Sequence, residues 1–204
     1  MITIYHLERS RSDRAVWLME ELDAPYRIEY FARLPTWEAE PAYKLLHPLG
    51  SSPVIDDNGK VIAESGAIIE YLATTQGDGS LVVRPGCADY ADYLYWFHFS
   101  EATLMTELTR EIMSERVGVA FDNPGRVYCR NRIAQLMAFI NARLGEVSFF
   151  AGARFTAADI MMTFPFTTAR QFVPLDVDPY PNIARYLEAI AARPAYQRCR
   201  AIAP

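Results

Sequence analysis

The stretch from Gly50 to Leu72, GSSPVIDDNGKVIAESGAIIEYL, leaves the chain few ways to fold. Val54 and Ile55 read as a buried strand, and Asp57-Asn58-Gly59 is a turn signal of the kind that joins antiparallel strands. Lys60-Val61-Ile62-Ala63 is the returning strand. Glu64-Ser65 then meets the apolar-periodic run Ala67, Ile68, Tyr71 and Leu72, so Ser65 is predicted to N-cap a helix. Ser52, just before Pro53, is driven towards an extended conformation that offers its N–H and C=O to an extended ligand. The helix opening at Ser65 presents unpaired N–H groups and a positive dipole end, which suit a carboxylate. Glu64 beside it suits an ammonium. A ligand with an α-amino acid head and a peptide-like middle satisfies all three.

The segments before this stretch complete a small α/β domain. Ile2-Thr3-Ile4-Tyr5 is predicted as a strand. A helix follows from Ser12 or Asp13 to about Leu22, with Ala15, Val16, Leu18, Met19 and Leu22 as its apolar stripe. Tyr26 to Phe31 alternates and reads as a second strand. A short helix is expected near Ala42 to Leu46. This order of strands and helices is that of thioredoxin-like domains, with a βαβ first half and an antiparallel edge. The domain is placed at residues 1–80, because Gln76 to Ser80 is polar and glycine-rich and Arg84-Pro85-Gly86 closes the linker.

From Ala88 on, strand signals vanish, and residues 87–204 are expected to form an all-helical bundle domain. Tyr90, Tyr93, Leu94, Phe97, Leu104, Met105, Leu108 and Ile112 fall at helical spacing on one long helix. Asp122-Asn123-Pro124-Gly125 separates it from a second, roughly Arg126 to Leu144. Phe155-Thr156-Ala157-Ala158-Asp159-Ile160 is a strong helix start, with Thr156 capping and Asp159 bonding back. Pro165 is expected to bend that helix. A loop with Pro174 and Pro179 leads to a helix ending near Arg193, and Pro194 begins a final helical piece.

A net charge of −5 disfavours a non-specific nucleic-acid binder. No apolar run approaches the ~20 residues that span a bilayer, and the first residues lack the basic region of a signal peptide. Cys87, Cys129 and Cys199 are odd in number and form no C-x-x-C pair. That pattern fits a reducing cytoplasm and disfavours a zinc site. The absence of cysteine from residues 1–86 argues against thiol–disulfide exchange, which needs a protein thiolate in the first turn.

Two passages resemble a known family. LLHPLGSSPVI with GKVIAESGAIIEYL resembles the glutathione-binding half of soluble glutathione transferases, and YHLERSRSDRAVWLMEEL resembles their serine-type branch. The resemblance implies the glutathione transferase fold and a cis Pro53. It places Ser52 on the cysteinyl backbone of glutathione and Glu64 with Ser65 on the γ-glutamyl head. Ser51 departs from the pattern, since relatives often carry lysine there for the glycine carboxylate; Lys44 or His47 would then substitute.

By spacing alone, Ser10 and Ser12 are each explained as caps of the first helix. The resemblance makes Ser10 the catalytic hydroxyl, with Ser12 the alternative and Tyr5 a further one used by other branches. Its role would be to donate a hydrogen bond to the glutathione sulfur. A free thiol has a pKa near 8.5, each unit of lowering needs roughly 1.4 kcal/mol, and a charge-assisted hydrogen bond contributes about 1.5–3 kcal/mol. The helix N-terminus and a cation such as Arg11 would add to it. His98 and Glu101, one helical turn apart, are candidates for a second-substrate pocket.

The function implied is a cytoplasmic, homodimeric transferase of detoxification type. It would use glutathione as co-substrate against a small hydrophobic electrophile, without metal, nucleotide, nucleic acid or membrane. A glutathione-dependent peroxidase or isomerase, or a non-catalytic binding protein of the same fold, are the alternatives.

Overall fold

The computed structural model describes residues 1–172 and 175–203 of the chain. The expected loop position of Pro174 lies outside the described residues. The chain forms two compact units, Met1–Val83 together with the residues from Ala191 onward, and Arg84–Ile190. The final helical piece therefore groups with the α/β unit, whereas the sequence reading kept all of residues 87–204 together.

In the first unit, β1 (Ile2–Leu7), α1 (Asp13–Glu21), β2 (Tyr26–Phe31), α2 (Pro41–Lys44), β3 (Val54–Asp57), β4 (Lys60–Ala63) and α3 (Ser65–Thr75) follow in the thioredoxin-like order. The sheet order is β2-β1-β3-β4. β1 runs parallel to β2 and antiparallel to β3, and the β3–β4 hairpin is antiparallel. β1 extends two residues beyond the predicted Tyr5, so that His6 and Leu7 belong to the sheet. Alternation puts Ile2, Ile4 and His6 on one face, all fully buried. Tyr5 and Leu7 point the other way, into a cluster with Phe31, Tyr43 and Val54.

The start of α3 differs from the expectation. Ser65 is the first helical residue, and Glu64 holds the cap position with φ +77° and no side-chain cap bond. A glutamate there departs from the preference for Ser, Thr, Asp or Asn, and its positive φ is one that few residues other than glycine adopt.

The last helix, α9 (Pro194–Ile202), packs on α1. Arg193 grips Glu21 with two bonds of 2.7 and 2.6 Å, and Arg198 reaches Glu20 at 2.6 Å. Paired guanidinium–carboxylate contacts of this kind are directional as well as strong.

The second unit is helical. α4 (Tyr90–Phe99) runs through a π-helical stretch, Ser100–Met105, into α5 (Thr106–Arg116). α6 spans Pro124–Glu146, with the Asn123 side chain accepting from the N–H groups of Gly125 and Arg126. α7 (Ala157–Thr163) opens with the expected capping box: Asp159 Oδ2 accepts from the Thr156 N–H at 2.8 Å and its hydroxyl at 3.1 Å. Asp159 Oδ1 also accepts from the Phe150 N–H at 2.9 Å, so one buried carboxylate ties the loop before α7 to the helix. Pro165 ends regular α-helix, and the chain continues as 3₁₀ turns at Phe164–Phe166 and Thr168–Gln171. α8 (Pro181–Ala191) completes the unit.

Candidate active site

Sheet register brings three chain segments to one end of the α/β unit. Tyr5 pairs with Val54, and Val54 pairs with Ala63. The segment leaving β1 towards Ser10, the Ser52-Pro53 entry to β3 and the Glu64-Ser65 exit from β4 therefore share that end. The Ser52–Pro53 peptide is cis.

Ser10 sits in the turn between β1 and α1 and is buried. Its Oγ lies 2.8 Å from Ser52 Oγ and 2.8 Å from Ser12 Oγ, and it accepts from the Ser12 N–H at 3.2 Å. Ser12 occupies the cap position of α1, yet its side chain makes no cap bond. Its hydroxyl instead meets His6 Nδ1 at 2.9 Å and the Leu7 carbonyl at 3.4 Å. Capping alone does not account for either serine.

The turn is fastened from outside by Arg33, whose Nε donates to the Glu8 carbonyl at 2.8 Å and whose Nη2 donates to the Arg9 carbonyl at 3.3 Å. Arg9 takes a left-handed φ of 49°, and its guanidinium stands over the Trp37 ring. Sequence reasoning missed Arg33, because nothing local marks a partner that far along the chain. It also missed His6, although a histidine at an inward position of an alternating strand was a readable signal.

The remaining candidates are placed as follows. Glu64 is exposed and Ser65 buried, at the α3 N-terminus, where the first N–H groups have no intrahelical acceptor. Ser51 is exposed, and Arg11 is half-buried beside Ser10 and Ser12. Lys44 is exposed and ion-paired to Glu38 at 3.2 Å. His47 Nδ1 accepts from the Leu49 N–H at 3.3 Å, which holds the loop before Gly50. Tyr5 packs edge-on against Phe31, and burial with Asp56 and Glu29 nearby pushes its phenol up. His98 and Glu101 belong to the second unit. His98 is exposed with its ring against Phe97, and Glu101 lies in the π-helical stretch rather than on regular α-helix. Among the described residues, no group of three or more His, Cys, Asp or Glu side chains is placed to hold a metal ion.

Residues 10–75 match the model of the glutathione S-transferase N-terminal domain, and residues 100–194 match that of the glutathione S-transferase C-terminal domain. Glutathione S-transferase 3 of Schizosaccharomyces pombe is 34% identical over 96% of this chain and 85% of its own length. This chain belongs to the glutathione S-transferase family. Glutathione S-transferase 1 of Saccharomyces cerevisiae is 27% identical over 96% of the chain and 92% of its own length. A crystal structure of a glutathione S-transferase from Actinobacillus pleuropneumoniae superimposes with a TM-score of 0.90 at 29% identity, covering 100% of this chain and 93% of that one. The thioredoxin-like sheet with a helical unit after it is thus the glutathione S-transferase fold.

Proposed function

We propose that the chain is a serine-type glutathione transferase in which Ser10 donates a hydrogen bond to the sulfur of bound glutathione. The observation that carries this reading is the 2.8 Å contact between Ser10 and Ser52, since Ser52 precedes the cis proline. A peptide lying along Ser52 delivers its cysteinyl sulfur to the neighbouring hydroxyl. Glu64 and the α3 N-terminus, at the same end of the sheet, receive the γ-glutamyl ammonium and carboxylate. Ser10 is preferred to Ser12 because Ser12 lies deeper, between Ser10 and His6. The ion pair of Lys44 with Glu38 leaves the glycine carboxylate a weakly charged environment near Ser51.

The thiolate then attacks a hydrophobic electrophile. Ser10→Ala is expected to lower kcat/KM for chlorodinitrobenzene conjugation roughly 10- to 100-fold, the equivalent of one charge-assisted hydrogen bond. Cumene hydroperoxide reduction, assayed in parallel, separates transferase from peroxidase. Unchanged conjugation in Ser10→Ala would contradict the assignment, and glutathione binding without turnover of either substrate would favour a binding protein.

A homodimer is proposed on the family resemblance and on one surface feature. Tyr95 and Phe139, both about half exposed, gather around Trp96 on α4 and α6. Sedimentation of the native protein as a monomer at micromolar concentration would remove that proposal. No helix among the described residues is long and apolar enough to cross a membrane. Cytoplasmic location is proposed from the three unpaired cysteines; disulfide-linked cysteines in protein isolated from cells would contradict it.

A further inference from the structure

We propose that Ser12 and His6 are positioning residues that aim the Ser10 hydroxyl proton outward, through the chain His6 Nδ1–H to Ser12 Oγ, then Ser12 Oγ–H to Ser10 Oγ. This rests on the reading of Ser10 as the donor to sulfur. A serine hydroxyl has a single proton. If Ser10 gives it inward, to Ser12 or Ser52, only lone pairs remain for the sulfur, and a thiolate is not stabilised. Donation outward requires the neighbouring hydroxyls to donate to Ser10.

The geometry supplies a director for that polarity. Ser12 is completely buried, and its Oγ stands between His6 Nδ1 at 2.9 Å and Ser10 Oγ at 2.8 Å. Ser12 can give its proton to Ser10 only if it receives one from His6, which requires the tautomer with hydrogen on Nδ1. The Asp13 carboxylate lies 4.0 Å from that nitrogen. A negative oxygen there favours an N–H over a bare lone pair. That tautomer keeps the Ser12 proton off the imidazole and leaves it to Ser10 Oγ at 2.8 Å, nearer than the Leu7 carbonyl at 3.4 Å; a Ser10 that accepts it has its own proton for Ser52 or, with glutathione bound, for the sulfur.

Three charged groups face the His6 ring: Glu8 from the turn after β1, Asp13 from α1 and Arg200 from α9, with the Tyr30 ring of β2 edge-on at 5.5 Å. Burial, and then Arg200, hold the imidazole at about 4, well below its usual range. At neutral pH the ring is uncharged, so it acts by orienting hydrogen bonds and not by its field. Neither His6 nor Ser12 needs to touch glutathione for this.

The test is the pH titration of the ultraviolet thiolate band of glutathione bound to Ser12→Ala, Ser12→Thr, His6→Phe, His6→Asn, Ser10→Ala and the native protein. Ser12→Ala and His6→Phe are expected to raise the bound thiol pKa by about one unit, with glutathione affinity changed less than about threefold. Ser12→Thr keeps the hydroxyl, and His6→Asn keeps an N–H near the Nδ1 position, so both are expected to titrate close to native. If His6→Phe fails to fold, the Ser12 pair decides, since Ser12→Ala removes one oxygen only. A native titration in Ser12→Ala beside a raised one in Ser10→Ala would overturn the positioning role while sparing Ser10. Loss of thermal stability without a thiol shift would overturn it equally. A native titration in Ser10→Ala would remove the reading of Ser10 and this inference with it.

Discussion

His6 occupies a position where the alternation of β1 calls for an apolar side chain, between Ile4 and the turn that carries Ser10. Burying an imidazole there favours its neutral form, and Arg200 pushes in the same direction. The unfolded chain takes up the proton near pH 6.5 and the folded chain only near 4. His6 therefore contributes stability above pH 6.5 that is lost as pH falls towards 4. The expected loss is about 3 kcal/mol. Urea unfolding of native and His6→Asn protein across that interval should show a steeper acid decline in the native chain. Parallel profiles would contradict the account. Asp159, held up to about 6 by burial, slopes the opposite way: its contribution is present below the usual carboxylate range and fades as pH rises through 6. The difference between the two profiles, in which Asp159 cancels, is the quantity to read. Glu64 is the other residue with an unusual demand, since its left-handed backbone costs of order 1–3 kcal/mol, and strain of that kind gathers at binding sites.

At the scale of elements, local chemistry decides what holds. The capping box of α7 is built from residues three apart, and the carboxylate that closes it also accepts the Phe150 N–H. Asp159→Ala leaves buried donors unpaired and is expected to cost about 3 kcal/mol, or roughly 6–12 °C in Tm. A thermal melt within 2 °C of native, a shift of well under about 1 kcal/mol, would show that the box contributes little. Local signals of this type were legible in the sequence. Alternation located β2 from Tyr26 to Phe31, the Asp-Asn-Gly turn located the hairpin, and Thr156 with Asp159 located α7. Three features were not legible, each for a physical reason. The start of α3 shifted because Glu64, not Ser65, took the left-handed cap conformation. The π-helical stretch after Phe99 escaped notice because Phe97, Leu104, Met105 and Leu108 stand at spacings that a regular helix also gives, so the apolar pattern does not separate the two. The docking of α9 on α1 depends on ion pairs joining residues 172 and 178 apart in the chain, and no periodicity reports such a partner.

For the whole molecule, the family and its fold follow from matches along most of the chain, and the site residues follow from the α/β unit alone. The end of the chain returns to that unit, where Arg193, Arg198 and Arg200 reach Glu21, Glu20 and Asp13 of α1. The helix that opens beside Ser10 is thereby held along its length. In the proposed function, this framework exists to keep one hydroxyl fixed beside an extended tripeptide. The most direct test is the thiol pKa of glutathione bound to native protein and to Ser10→Ala, read from the thiolate band against pH. The account predicts a value in the native complex one to two units below the roughly 8.5 of the free thiol, returning towards it in the variant. The same depressed value in both proteins, or no depression in either, would contradict it.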